Sequence, residues 1–422
     1  MLTILIGTGD FLNKINANVR DVSLRITYSS NYIDYCIEGK EVLEVTYVSQ
    51  GVKDMGTVVL KVADIKLDLT DNTKQLTKGI FIDLTYVCGG DECQTDIFYI
   101  NEIKIKNNTV IVQAIDLLSY LSQANNNIRM PLLKNTDLLT YMQSIADSIN
   151  LKCELKDVVV NPSLSLAYPK STRLDTTFRE IAAALNACVT FGRTGLKGAY
   201  LPFDLPKMLD EQIIGITIKK YCFNTPATDI TSWLNYAVSD KSDNQYSSVN
   251  VRQFFPTQGE QSSIGKLNLI VPANTNDYKT GNIDLGKTCI PQVCRFNAKV
   301  DIESYAMGSD SFSLSFNNSS ALAQDVECEF LGIDIKNAIS MDSDTSNDNS
   351  IKVINNMYIQ SSVVYDTRIF LCKDISISYF GNPCIEVGDT ITIDGLTVLV
   401  TNHTLKYTGG LRGTIEGAIL NE

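Results

Sequence analysis

Short runs of β-branched and aromatic residues, separated by polar turns, dominate both ends of the chain. Near the N-terminus Leu24–Tyr28, Val42–Val48 and Val58–Val62 predict strands. Apolar and polar positions alternate from Tyr99 within Ile97–Ile105, Asn107-Asn108 reads as a turn, and Val110–Ala114 returns the chain. That pattern predicts a hairpin, and the series as a whole an antiparallel barrel or sandwich over residues 1–122.

The period then changes. Ile115–Leu121 predicts a short helix closing the first β unit. Thr136 is placed to cap a helix carrying Leu138, Leu139, Met142, Ile145, Ala146 and Ile149 on one face. A second helix is predicted from Asp175, with Phe178, Ile181, Ala182, Leu185 and Val189 inward. With short strands near Cys153 and Thr190, these make an α/β insert over residues 123–212. Ile213–Ile218 resumes β structure and opens a β-rich accessory domain, residues 213–354, which contributes strands to a second barrel. Residues 235–295 are rich in Ser, Asn and Gln and carry no clear period, and Asp342–Asn349 reads as an exposed loop. Residues 355–422 form the second barrel. Its strands are Ile375–Tyr379, Thr390–Ile393, Thr397–Thr401 and Arg412–Gly417, with Asp394-Gly395 as a hairpin turn. The fold class is therefore mainly β with an α/β insert, and the two ends are expected as separate sheets, each closing its own barrel.

Composition narrows the function classes. At 422 residues and 44% apolar content the chain can hold several cores, and the apolar fraction excludes a disordered chain. A net charge of −12 argues against a nucleic-acid clamp that works through a basic surface. The single histidine, His403, excludes His-rich zinc sites and leaves a catalytic triad only one possible base. A buried or edge position in its strand is the favoured reading. The eleven cysteines lie mostly beside apolar neighbours, as buried thiols do in a reducing compartment. No signal peptide is read at Met1–Gly7, and no apolar stretch approaches the roughly 20 residues of a membrane-spanning helix.

Candidate chemistry is sparse. Cys88/Cys93 and Cys289/Cys294 share a C-x4-C spacing, which admits a structural zinc, a disulfide across the first loop, or a hairpin with flanking thiols. Asp342, Asp344, Ser346 and Asp348 have the odd-position acids of a calcium loop, but Asn347 and Val353 stand where Gly and Glu are required. Gly7-Thr8-Gly9-Asp10 and Gly409–Gly413 lack phosphate-loop spacing and read as turns, with Gly388 and Gly410 expected to need left-handed backbone. No catalytic, cofactor-binding or metal residues emerge, and the chain is read as no enzyme.

Two turns near the C-terminus carry a family resemblance. Gly381-Asn-Pro-Cys-Ile-Glu-Val-Gly-Asp389 and Tyr407-Thr-Gly-Gly-Leu-Arg-Gly413 resemble the end of phage tail hub proteins, the baseplate family that includes the N-terminal hub region of tail-associated lysins. Cys384 stands where that family usually has Ala. Phe98–Ile103 with Val112–Leu118 is similar to the end of the family's first barrel, and Thr176–Ala182 to the helix of its insert. The resemblance implies two barrel domains of tail-tube-like fold and a homotrimeric ring that adapts a hexameric tail tube to a trimeric spike or tip. It further implies contact with the tube or distal tail protein and with the tape-measure protein, and passage of DNA through the lumen. The implied location is the baseplate or tip of a virion tail or tailocin, after synthesis in the host cytoplasm. An acidic balance suits a lumen through which DNA slides. Lysin versions carry further domains after the hub, whereas this sequence stops at Glu422 after its last predicted strand; a wall-degrading enzyme is accordingly the alternative, and a carbohydrate-binding receptor module another.

Overall fold

The computed structural model describes residues 9–15, 17, 21–51, 54, 56–116, 118–119, 136–137, 153–156, 163–164, 174–191, 216–220, 228–230, 233–239, 248–256, 261–280, 283–284, 289–297, 300–307, 311–340, 351–355 and 368–420. Helix α1 (Gly9–Ile15) precedes seven strands: β1 (Val22–Ser30), β2 (Ile33–Glu38), β3 (Val42–Gln50), β4 (Leu60–Asp68), β5 (Phe81–Cys88), β6 (Asp91–Lys106) and β7 (Thr109–Asp116). The predicted hairpin is β6–β7, turning at Asn107 and Asn108, both with positive φ. Burial alternates along β1 and β4, so one face of the sheet enters a core holding Phe11, Leu24, Tyr47, Ile65, Phe98 and Val112.

The insert contributes β8 (Thr136–Asp137), β9 (Cys153–Lys156), β10 (Ser163–Leu164), α2 (Leu174–Ala184), β11 (Ala187–Phe191) and β12 (Ile216–Lys220). Helix α2 buries Phe178, Ile181 and Ala182 as its period predicted. Strand β12 pairs with β11 and β9, so the strand expected to open the accessory region completes the insert's sheet. Backbone bonds from Gly56 to Ala187 and from Val59 to Val189 dock this sheet on the first β unit.

The accessory region holds β13 (Thr228–Asp229), β14 (Trp233–Val238), β15 (Ser248–Pro256), β16 (Ser262–Val271), β17 (Thr275–Lys279), β18 (Ile283–Asp284), β19 (Cys289–Asn297), β20 (Asp301–Met307), β21 (Ser311–Asn318), β22 (Gln324–Ser340) and β23 (Ile351–Asn355). Strand β22 pairs with β15, β16 and β19, and a separate core collects Ile264, Phe312, Phe316 and Phe330. The chain ends with α3 (Arg368–Leu371), β24 (Asp374–Tyr379), β25 (Thr390–Ile393), β26 (Leu396–Tyr407) and β27 (Leu411–Ile419). Here Ile377, Ile391, Val398 and Ile415 pack a third core, joined by Ile230 from the accessory region.

The expectation of separate terminal sheets is corrected. One 13-stranded sheet runs β14-β24-β27-β26-β3-β4-β7-β6-β5-β1-β2, with β25 alongside β26 and β13 alongside β25. The join is β26 against β3, antiparallel from Asn402↔Gln50 to Tyr407↔Val45. Barrel closure is not seen among the described residues. The physical reason for the join lies in the edges: pairing β3 with β26 satisfies two rows of backbone groups that separate sheets would leave exposed. Three local expectations change as well. Ile115 and Asp116 belong to β7, because Val62 of β4 partners Ile115 and Phe98 of β6 partners Asp116. Thr136 pairs in β8, where an extended cap residue already has strand-like backbone. Gly9 begins α1 instead of a turn. The rest of the helix read over 136–149, and the calcium-like segment from Asp342 to Asp348, lie outside the described residues.

Candidate assembly surface

Strand β26 is shared between the two β units. Leu396–Leu399 pairs with β25, while Asn402–Tyr407 pairs with β3, and a bulge between Val400 and Asn402 separates the two stretches. The bulge changes which parity points inward. Val398 and Val400 fill the C-terminal core, whereas Leu405 and Tyr407 fill the N-terminal one. At the fork, the Gly51 amide donates to the Thr401 carbonyl at 3.1 Å and to Asn402 Oδ1 at 2.9 Å.

The face away from the cores crosses the join in continuous rows. One row runs Glu102, Gln113, Asp64, Thr46, Lys406, Arg412, each residue opposite the next. A second runs Leu60, Gln50, Asn402, Glu416, Ser376. Between them lie Val62, Val48, Thr404, Thr414 and Ser378, none of them buried. Lys66, Lys104, Lys406 and Arg412 are matched in number by Glu44, Asp64, Glu102 and Glu416 on this face, and Lys406 pairs with Glu44 at 2.8 Å. The acidic excess of the chain is therefore not concentrated here.

His403 is fully buried in β26 and holds the Gly381–Asp389 turn. Its Nδ1 faces the Ile385 carbonyl at 3.0 Å, an acceptor only, so Nδ1 carries the proton. Nε2 then accepts from the Tyr379 hydroxyl at 2.8 Å, and that oxygen accepts from the Asn382 amide at 3.0 Å. The Asp389 carboxylate accepts the Glu386 amide, and the Gly388 amide donates to Val400. With both ring nitrogens used by the turn, the histidine positions a loop. Gly388 has φ +88°, as expected, but the left-handed residue of the second turn is Gly409 (φ +80°), and Gly410 is not. The reversal needs positive φ one residue earlier than the dipeptide alone indicated.

Sequence reasoning missed a buried charged group at the end of the first β unit. Lys61 Nζ pairs with Asp96 Oδ1 at 2.7 Å, both side chains almost wholly buried, and the Tyr47 hydroxyl donates to Asp96 at 3.2 Å. Asp116 is fully buried and accepts the Ser119 amide at 2.8 Å through Oδ1; its Oδ2 has no hydrogen-bond partner. Burial pushes its carboxyl up to about 6 despite Lys61. Burial, then the Asp96 charge, pushes Asp83 up to about 7. The missed signal was strand parity. Lys61 shares parity with Ala63, Ile65 and Leu67, Asp96 with Phe98 and Ile100, and Asp116 with Val110, Val112 and Ala114.

The two C-x4-C segments take different places in the strands. Cys88 lies opposite Asp91 across a Gly89-Gly90 turn, and Cys93 opposite Tyr86. Cys289 lies opposite Asp334 and Cys294 opposite Phe330. The thiol influencing Cys294 is Cys328, and burial pushes these up to about 12 and about 11. Among the described residues no group of His, Cys, Asp or Glu has metal-holding geometry, and no helix is long and apolar enough to cross a membrane.

The fold defines a class: a mainly β chain in which two β units with their own cores share one sheet, with an α/β insert and a β-rich accessory region. No family model and no curated relative matches the sequence. Among solved structures the chain is similar to a tail protein from Neisseria meningitidis MC58, at 10% identity and TM-score 0.49, covering 94% of this chain and 96% of that one. It is similar also to the 43 kDa tail protein of prophage MuSo2 from Shewanella oneidensis, at 8% identity and TM-score 0.46, covering 94% and 97%. A third likeness is prophage tail protein gp18 from Listeria monocytogenes EGD-e, at 8% identity and TM-score 0.41, covering 93% and 94%. These likenesses are distant, and the reading of function rests on the chain's own turns, sheet and faces.

Proposed function

We propose that this chain is a non-enzymatic structural hub of a phage-type tail, which assembles as a homotrimer between a sixfold tube and a threefold tip. The observation that carries the reading is the shared strand β26, which fuses two β units into one sheet with a continuous, mostly polar outer face. The turn motifs at Gly381–Asp389 and Tyr407–Gly413 support it, because they build that strand's surroundings. Three chains with two β units each present six similar units around a ring, which matches a sixfold neighbour while keeping threefold symmetry. The polar face lines the central channel in this reading. Its matched charges and small hydroxyl and amide side chains offer neither a basic surface to hold DNA nor an apolar one to hold protein. Residues 1–122 and 355–422, together with β13 and β14, supply the ring, with the insert and the rest of the accessory region outside it or toward the tip.

The partners are the tube or distal tail protein, the spike and the tape-measure protein, and the location is the baseplate or tip. Native mass spectrometry of the distal tail complex tests the reading. Three copies of the chain per complex agree with it; one or six refute it.

A further inference from the structure

Two thiols far apart in sequence meet where the C-terminal turn lies against the first β unit. Cys93, on β6, is fully buried in the N-terminal core, and Cys384, in the Gly381–Asp389 turn, packs partly buried against that core. Their sulfurs are 3.4 Å apart across 291 residues of chain, and both are thiols. A disulfide needs about 2.05 Å, so closing it asks the two sulfurs to approach by a little over an ångström. The backbone around Cys384 is already fixed, since its amide donates to Asn382 Oδ1 at 2.9 Å.

We propose that Cys93 and Cys384 form a reversible cross-link that clamps the C-terminal turn to the first β unit when the protein meets a disulfide oxidant. The step is ordinary thiol–disulfide exchange. The Cys384 thiolate, its proton lost to solvent, attacks one sulfur of a small disulfide such as oxidised glutathione and releases one glutathione thiolate. Cys93, deprotonated in turn, attacks the Cys384 sulfur of the mixed disulfide and expels the second. Two protein thiols are oxidised and one small disulfide is reduced to two thiols, the two protons passing through solvent from the protein thiols to the released glutathione thiolates. Cys384 enters first because it is the accessible partner; Cys93 resolves because it has no other route to solvent. The bond closes a loop of 291 residues, about two thirds of the chain, and it bridges the two β units beside their shared strand.

The test uses the full chain. After incubation with oxidised glutathione under native conditions, non-reducing peptide mapping is expected to show a Cys93–Cys384 peptide pair and the loss of two titratable thiols per chain. The oxidised protein is expected to melt several degrees higher and to migrate faster on a non-reducing denaturing gel, both reversed by reductant. Cys384→Ala, a substitution at a partly exposed turn position, removes the linked peptide and the melting shift while leaving the reduced protein's melting temperature nearly unchanged. The proposal is overturned if Cys93 and Cys384 remain thiols, or carry only glutathione, under conditions that oxidise other cysteines of the chain. It is equally overturned if the melting shift persists in Cys384→Ala.

Discussion

Asp116→Asn is expected to stabilise the protein at pH 8, and to do so by only about half as much at pH 5, which lies inside the window where the group titrates. Asp116 is wholly buried beside Lys61 and Asp96, with its carboxyl pushed from the ordinary 3.8 up to about 6. Between those values the folded chain holds a proton that the unfolded chain has released. Stability attributable to this group is therefore greatest in acid and falls as pH rises through that window. A displacement of about two units corresponds to ~3 kcal/mol. Asparagine keeps an acceptor for the Ser119 amide without ionising, so at pH 8 the variant is expected to gain ~1–3 kcal/mol, less whatever its amide loses by facing no acceptor. Exposed acids act in the opposite sense: Lys406 holds Glu44 below its usual range, a contribution lost on acidification. Comparing variant with wild type at each pH cancels those groups. Chemical unfolding at pH 5 and pH 8, with hydrogen–deuterium exchange localising the change to β4 and β7, measures the difference. A variant destabilised equally at both pH values would refute the reasoning.

Lys61→Met is expected to cost about 3–5 kcal/mol by leaving Asp96 buried without its cation, and Lys61→Met combined with Asp96→Leu to recover much of that, read by chemical unfolding. Lys406→Ala, which removes the exposed pair with Glu44, should change stability by less than about 1 kcal/mol in the same assay. Gly413→Val should abolish soluble folding of the C-terminal unit, since a Cβ there would sit 2.3 Å from the Tyr379 ring, whereas Gly410→Val meets open space and should fold. His403→Phe should lower the melting temperature by leaving Tyr379 and the Ile385 carbonyl without their shared partner.

Most strands of the two terminal units were legible because alternation with a polar face is a local property of the sequence. The polar region from residue 235 was not, because in strands such as β16 apolar residues stand on both faces, Leu267 and Leu269 half-buried while Ile270 is exposed, so burial alternates only weakly against solvent. The join between β3 and β26 was illegible for a different reason. Edge pairing between segments more than 350 residues apart leaves no periodic signature, and the bulge beside Thr401 shifts parity midway along the very strand that makes it. The buried Lys61, Asp96 and Asp116 were legible by parity, but charge at those positions reads as solvent exposure unless parity is allowed to decide. The His403 latch was half legible: its strand was read, but its partners lie in the preceding turn and at the end of β24, 18 and 24 residues away.

Cryo-microscopy of the intact particle tests the central claim most directly, because it locates the shared sheet. The account predicts three copies at the distal end of the tube, with the row Asp64, Thr46, Lys406, Arg412 facing the channel. Copies on the outside of the particle, or a channel lined by other faces of this chain, would contradict it.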